Sequence, residues 1–525
     1  MQSILIFDTT LRDGSQGEKI NFSAEDKIRI ARKLDGVGVH YIEGGWPGSN
    51  PKDVCFFELA QKVPFKYARI TAFGSTRRPH TPCSQDKNLE AILKSETPTV
   101  TIFGKSWDLH VRKIMKNSLE ENLSMIYETV AYLRSREREV IYDAEHFFDG
   151  YKDNPEYALK TLDAAASAGA DIIVLCDTNG GTLPFEIERI TKKVSSRIPV
   201  KLGIHAHNDC GLAVANTVAA VRSGAVMVQG TINGYGERCG NADLTSVVPV
   251  LQLKMGLSCM TDENLRHLTE LSRYVSEVAN MTPFNARPFV GQSAFAHKGG
   301  IHVNAVMKTP KAYEHIAPEA VGNERRVLIS DLCGRSAIDY KARELGVKLG
   351  GKGFNSRKIS TEIKRLEHEG YQFDAAEGSF ELLLKRLTGQ FDPLFRLESF
   401  RVAVEKEKDL PCRAYATIKV RVGDQQEITA AEGNGPVNAL DNALRKALNK
   451  FFQVDLEQMH LVDFKVRVIE GSDGTSARVR VFIESRDQKR IWGTIGVSTD
   501  IIEASWQALE DSFQYKLSRT RDVSL

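Results

Sequence analysis

The chain is short of three things, and each shortage closes a door. No apolar run approaches the roughly 18 to 20 residues that span a bilayer, so no segment reads as a transmembrane helix. No CxxC pair occurs: Cys55, Cys83, Cys176, Cys210, Cys239, Cys259, Cys333 and Cys412 are scattered, which fits reduced thiols better than a disulfide scaffold or a structural zinc site. Net charge is nearly absent, since 70 Lys and Arg stand against 68 Asp and Glu to leave +2. That balance gives no electrostatic argument for nucleic acid or a membrane surface as partner, and a small-molecule substrate is expected. The N-terminus passes into IFDTTLRDG without a basic region or an apolar signal core, which together with the thiols predicts a cytoplasmic protein.

What is present is ordinary in bulk and organised in detail. Hydrophobic content of 42% and charged content of 26% suit a soluble globular chain, and 525 residues imply two or three domains. Eight short apolar runs recur: SILIF (3–7), YIEGG (41–45), YARITAF (67–73), TVTIF (99–103), VIYDAE (140–145), DIIVLCD (171–177), VKLGIHAH (200–207) and VMVQGT (226–231). Amphipathic segments such as AEDKIRIARKLDGVG (24–38) and PEYALKTLDAAASAGA (155–170) separate them. This is the βα pattern of a parallel sheet, and eight units predict an α/β fold closed as a (β/α)8 TIM barrel rather than an open doubly wound sheet.

Catalytic groups of such barrels lie at the C-terminal ends of the strands. Polar residues gather there: Arg12 and Asp13 after the first run, Glu43 ending the second, Glu145 ending the fifth, Asp177 and Thr178 after the sixth, His205 and His207 ending the seventh, and Asn241 beyond the eighth. An isolated Arg-Asp pair on a turn is ordinarily a surface ion pair of little consequence. At a barrel mouth its two charges can take separate tasks.

IHAHND sets His205 and His207 two apart, which on a strand puts both imidazoles on one face. Asp13 is expected to offer a carboxylate from the opposite side of the rim, and the side-chain oxygen of Asn241 completes the set. Two imidazoles with one or two oxygens suit a divalent ion (manganese, magnesium or zinc) with positions open for water or substrate. Such an ion can chelate a 2-oxo acid, and Arg12 is suited to an oxygen that becomes negative nearby. Gly14 and Gly17, which flank SQ in DTTLRDGSQG, are expected to keep side-chain bulk away from the substrate.

Together DTTLRDGSQ, HAHND and GERCGNADL resemble the metal-dependent acyl-transferases and lyases with the DxTLRDGxQ signature, namely isopropylmalate, homocitrate and citramalate synthases and hydroxymethylglutaryl-CoA lyase. The resemblance runs over residues 4–345 and implies a TIM barrel with metal ligands Asp13, His205, His207 and Asn241, and Arg12 as the signature arginine. In the synthases acetyl-CoA loses a methyl proton, the enolate attacks a 2-oxo acid, and the thioester is hydrolysed. The resemblance implies proton chemistry for Glu145 in VIYDAEHFFDGY and contact of Thr178 in CDTNGG with the substrate carboxylate. It also implies catalytic parts for His302 in HKGGIHVNAV and Tyr313 in PKAYEHI. Glu43, in IEGGWPG, is expected to hydrogen-bond a metal-bound water or Arg12. Phe73, Phe103 and Asp143 lie where the side chain of the 2-oxo acid should sit, and phenylalanines there fit the methyl of pyruvate better than a branched chain. YDAEHFFDGYKDNPEYALKTL and GYGERCGNADL are most similar to the pyruvate-condensing branch; 2-oxoisovalerate, used by the isopropylmalate branch, is the alternative. A non-catalytic amino-acid sensor would have an eroded metal site, whereas Arg12, Asp13, His205, His207 and Asn241 are all in place.

The texture changes at Phe400. FRVAVE, ATIKVRV, QEITAAEG and the helical NALDNALRKALNKFF are followed, about 64 residues on, by FKVRVIEG, SARVRVFI, IWGTIGVS and IEASWQALEDSFQY. Two βββα repeats without a candidate nucleophile or metal cluster read as a binding or assembly module. They resemble the C-terminal regulatory domain of the synthases, which implies a homodimer and an end-product amino acid, isoleucine here, as effector. The expected plan is a catalytic TIM barrel over 1–260, helical linker subdomains covering the active site over 261–397, and an α+β regulatory and dimerisation domain over 398–525.

Overall fold

The computed structural model describes residues 3–329, 335–348, 356–469, 476–488 and 490–523; Cys333 lies outside them. Eight strands form a closed parallel barrel: β1 (Leu5–Asp8), β2 (Tyr41–Gly45), β3 (Arg69–Ser75), β4 (Thr99–Lys105), β5 (Glu139–Glu145), β6 (Ile172–Asp177), β7 (Lys201–Ala206) and β8 (Ala225–Gly230). Each pairs with the next in sequence, and β8 closes on β1 with Leu5 opposite Met227 and Asp8 opposite Gly230. Strands covered on both faces must be apolar throughout, and β6 is buried at every position.

The helices between strands begin where the sequence can satisfy their free N–H groups. Ser23 and Asp26 form a capping box on helix Ala24–Gly36, Asp86 caps Lys87–Lys94, and Asn154 followed by proline opens Pro155–Ser167. Their apolar faces (Ile30, Leu34, Ile126, Leu162 and Ile190) join the outward faces of the strands in one core. Inside the barrel a separate cluster of Phe7, Tyr41, Ile141, Val174 and Met227 fills the centre. The barrel is therefore packed below its mouth, and the polar residues at the strand ends sit on an apolar floor.

Two expectations need adjusting. β3 and β4 run on to Ser75 and Lys105, beyond the apolar runs that announced them, because the barrel register supplies partners for two more residues on each. Asp13 does not face the histidines from the opposite rim: β1 neighbours β8 and β8 neighbours β7, so the carboxylate comes from two strands away.

Two compact units divide the chain, the first of residues 1–295 with Ile316–Glu324, the second of Ala296–His315 with Arg325–Leu525. Helix Leu268–Val278 belongs to the first, with Leu268, Leu271 and Val275 in its core. The second contains a small helical core around Val303, Ile338, Ile363 and Phe380. It also contains the two repeats: antiparallel β11 (Arg396–Glu405), β12 (Arg413–Val422) and β13 (Gln425–Gly433) before helix Pro436–Glu457, then β14 (His460–Val468), β15 (Val479–Arg486) and β16 (Ile491–Ser498) before helix Ile501–Val523. The short β9 (Ala296–His297) and β10 (Arg326–Val327) pair with each other. On β12 the alternate residues Ala414, Ala416, Ile418 and Val420 turn inward against Leu440, Leu444 and Leu448. The expected (β/α)8 barrel and doubled βββα domain are both present. Among the described residues no helix is long and apolar enough to cross a membrane.

Candidate active site at the barrel mouth

β7 delivers His205 at its penultimate position, and His207 follows one residue past its end, where a backbone bridge to Asn241 holds it. The two Nε2 atoms are 3.3 Å apart, and Asp13 Oδ2 lies 3.6 Å from the first and 3.9 Å from the second. Among the described residues these three are the set of His, Cys, Asp or Glu side chains close enough to share an ion. All are buried. Burial works against charge on Asp13, yet Arg12 and the two imidazoles hold its carboxyl down at about 2. Burial holds His205 down at about 3, with His207 adding to the effect, so its imidazole is neutral and keeps a lone pair to share.

The neighbouring strand fixes which nitrogen that is. The register sets Gln229 of β8 beside His205, and Gln229 Oε1 lies 2.9 Å from Nδ1 while its Nε2 donates to Asp143 Oδ1 at 3.0 Å. With the amide so oriented, Nδ1 carries the proton and Nε2 faces Asp13. Asn241 Nδ2 donates to Asp13 Oδ1 at 3.1 Å, and its Oδ1 is buried without a partner. The turn before it needs glycine at 236 and 240, where φ is +155° and +85°; a Cβ would overlap the Asn241 amide at the first and Gly234 O at the second. A carboxylate, two neutral imidazoles and an orphaned amide oxygen in one buried cluster fit a divalent cation.

Arg12 lies between this cluster and β2. Its Nε donates to Glu43 Oε2 at 2.6 Å and its Nη1 to Asp13 Oδ2 at 3.1 Å, while Thr9 Oγ1 donates to the same Glu43 oxygen at 2.5 Å. Burial opposes the guanidinium charge, but Glu43 and Asp13 outweigh it and keep Arg12 protonated. Gly14 and Gly17 do not clear room for a substrate: a Cβ at Gly14 would touch Thr10 and Thr231, and one at Gly17 would crowd Gly14 O and Gly236 O. Only Gly17 is tight enough to serve the packing of the β1 loop against the β8 loop; a Cβ at Gly14 would make ordinary contacts.

A cavity of about 220 Å³ opens over these groups, with Arg12, Thr178, His205 and His207 on its polar side and Trp46, Phe73 and Phe103 on its apolar side. Asp143 and Glu145 also line it. Burial, with Glu43 nearby, pushes the Asp143 carboxyl well above the usual range and favours its protonated form. Thr178 Oγ1 accepts from His146 N at 2.9 Å, so its own proton is free to donate. Glu145 Oε2 is hydrogen-bonded by Lys105 Nζ, its neighbour in the β4–β5 register. His302 and Tyr313 belong to the second unit, where their rings lie 4.3 Å apart.

Lys105, which holds Glu145, and Trp46 and Arg238, which line the cavity, escaped sequence reasoning. Lys105 lies two residues past the apolar run TVTIF, and only the register puts it on Glu145. Trp46 was visible in IEGGWPG directly after the strand that carries Glu43. Arg238 stands inside GERCGNADL; its Nη2 donates to Thr178 O at 2.6 Å and its Nε to Asp209 Oδ1 at 2.8 Å, tying three rim loops together.

Residues 3–275 match the HMGL-like family, residues 289–370 the homocitrate synthase post-HMGL domain-like family, and residues 374–517 the LeuA allosteric (dimerisation) domain. The chain belongs to the HMGL-like family. Over its full length it is similar to (R)-citramalate synthases: 56% identical to that of Aquifex aeolicus and 54% to that of Geobacter sulfurreducens, in each case across 100% of this chain and 99% of the relative. The probable 2-isopropylmalate synthase of Methanopyrus kandleri is 32% identical across 99% of both chains.

Proposed function

We propose that this chain condenses acetyl-CoA with pyruvate and hydrolyses the thioester, giving (R)-citramalate and CoA as a step towards isoleucine. The observation that carries this reading is the gap in identity over the whole chain, 48–56% with five (R)-citramalate synthases against 30–32% with isopropylmalate synthases.

Asp13, His205, His207 and Asn241 Oδ1 would hold a divalent ion, which when bound supplies a Lewis acid for a ketone and its neighbouring carboxylate. The Thr178 hydroxyl donates to the pyruvate carboxylate. Glu145, oriented by Lys105, takes a methyl proton from acetyl-CoA. The carbon left with the electron pair adds to the keto carbon of pyruvate, whose π electrons move to oxygen, and Arg12 faces that oxygen as it becomes negative. Glu43 holds Arg12 by its Nε and Asp13 holds it by its Nη1, leaving Nη2 for the substrate. His302 and Tyr313 take the remaining proton transfers: a proton reaches the new alkoxide, and water replaces sulfur at the thioester carbon so that CoA leaves as its thiol. Phe73, Phe103 and Asp143 enclose the pyruvate methyl.

The repeated domain is proposed to form the homodimer and to bind isoleucine, within the plan of barrel 1–260, linker 261–397 and regulatory domain 398–525. The exposure of Val404, Ile428, Phe464, Val466 and Val468 supports the first of these. A cytoplasmic location goes with the reading.

Thiol release from acetyl-CoA, followed with manganese or magnesium and each 2-oxo acid in turn, tests the substrate. Release with pyruvate in clear preference to 2-oxoisovalerate and 2-oxoglutarate is expected. Preference for 2-oxoisovalerate assigns the chain to leucine synthesis instead.

A further inference from the structure

The apolar wall of the cavity is rigid in a way its sequence does not announce. Trp46 sits on the loop after β2, where an indole would ordinarily have several rotamers. Here Nε1 donates to Asn88 Oδ1 at 2.6 Å, and Asn88 Nδ2 in turn donates to Ser75 O at 2.9 Å, at the end of β3. The backbone is held as well: Trp46 N donates to Asp53 Oδ2 at 2.8 Å, and Asp53 Oδ1 meets Lys27 Nζ at 2.5 Å in a pair whose side chains are only 8% and 3% exposed. Lys27 Nζ also donates to Gly44 O at 3.0 Å, two residues before the tryptophan. Gly45 between them has φ of +149°, and a Cβ there would overlap the Asp53 carboxylate.

The pinned ring completes an aromatic box. Its edge meets Phe73 with centroids 5.7 Å apart and Phe103 at 5.5 Å, while the two phenylalanines stack on each other at 5.2 Å. The Arg12 guanidinium lies 3.9 Å from the Phe73 centroid, so the box begins where the oxygen-binding groups end. A 2-oxo acid has a polar end of carboxylate and ketone and an apolar substituent. Arg12, Thr178 and the histidines suit the polar end, which turns the substituent to the rings. A wall free to change rotamer can accept another methylene; one held at backbone and indole cannot without breaking buried hydrogen bonds.

We propose that Trp46 is a specificity-determining residue, which, pinned by Asn88 and the Lys27–Asp53 pair, closes the aromatic end of the cavity against 2-oxo acids with a side chain longer than methyl. This rests on the condensation reading and adds the residue that sets the length limit. The test compares kcat/KM for pyruvate, 2-oxobutanoate and 2-oxoisovalerate in the wild type and in Trp46→Ala, Trp46→Phe and Asn88→Ala, with KM for acetyl-CoA alongside. Trp46→Ala should raise the ratio of 2-oxobutanoate to pyruvate by about 10-fold or more, within the 10- to 200-fold range of a methylene in an apolar pocket. Trp46→Phe and Asn88→Ala, which keep a ring but lose the indole anchor, should move the ratio the same way by less, with KM for acetyl-CoA within about twofold.

Equal loss towards all three acids, or a change confined to acetyl-CoA, overturns the assignment. If Trp46→Ala does not fold, the other two variants decide it by the same ratio. A wild type that releases no thiol with pyruvate defeats the condensation reading and this inference with it. A pyruvate-selective wild type whose variants stay equally selective defeats the inference alone.

Discussion

At the barrel mouth Asp13, Glu43, Asp143, His205 and Asn241 are buried, and Glu43 Oε1, His207 Nδ1 and Asn241 Oδ1 have no hydrogen-bond partner. On the C-terminal repeat the reverse holds: Val404, Ile428, Phe464, Val466 and Val468 are exposed on strands. One region hides groups that water would solvate, and the other shows groups that water disfavours. Buried unpaired polar atoms each cost about 1–3 kcal/mol, which a cation or a substrate can offset. An exposed apolar sheet is offset by a partner chain. The two regions thus differ in what they leave unmatched, polar atoms at the mouth and apolar side chains at the repeat.

Changes at the mouth should stop turnover with the chain still folded. Asp13→Ala and His207→Ala are each expected to cut thiol release by at least about 10⁴-fold and to abolish calorimetric binding of manganese. Retained one-to-one binding in both would detach the cluster from any ion. Arg12→Lys, which loses the fork between Glu43 and Asp13, should lower kcat about 10²- to 10³-fold with less change in KM for the 2-oxo acid. Glu145→Gln should lower kcat about 10²-fold or more, and Lys105→Met about 10-fold. Deuterium exchange into the acetyl-CoA methyl should fall in parallel with both; exchange untouched by Glu145→Gln would take the proton chemistry elsewhere.

The repeat should respond in the opposite sense. Phe464→Asp with Val466→Asp should shift the sedimentation coefficient from dimer to monomer and remove any response to isoleucine, while pyruvate turnover stays within about threefold. Smallest in its effect on rate is Asp8, beneath the mouth. Burial pushes its carboxyl up to about 7 despite hydrogen bonds from Thr10. The folded state therefore holds this proton more tightly than the unfolded chain, and the associated stability, present below about pH 4, is lost as pH rises through 7. Melting scans should show a shallower fall between pH 5 and 8 in Asp8→Asn than in the wild type, the difference over that window being at most about 3 kcal/mol. Equal slopes would place the titration elsewhere.

The legible part of the site was what lies close in sequence. HAHND and LRDG each hold two functional groups in one short string and GNADL holds one, and the apolar period showed that all of them end or follow strands of one barrel. Partnerships made by register were hidden. Gln229 gains meaning only beside His205, and Lys105 only beside Glu145, because a one-residue slip between parallel strands would part both pairs. The rigidity of Trp46 was hidden for a similar reason, since Asn88 and the Lys27–Asp53 pair come from three other segments. The doubled βββα pattern was readable because antiparallel strands with one wet face alternate, as β12 does.

The most direct test of the account is product analysis with chelated and metal-restored protein. With acetyl-CoA and pyruvate, restored protein should form (R)-citramalate and CoA in equal amounts and chelated protein neither. Undiminished product after chelation, or a product made only when 2-oxoisovalerate replaces pyruvate, would contradict it.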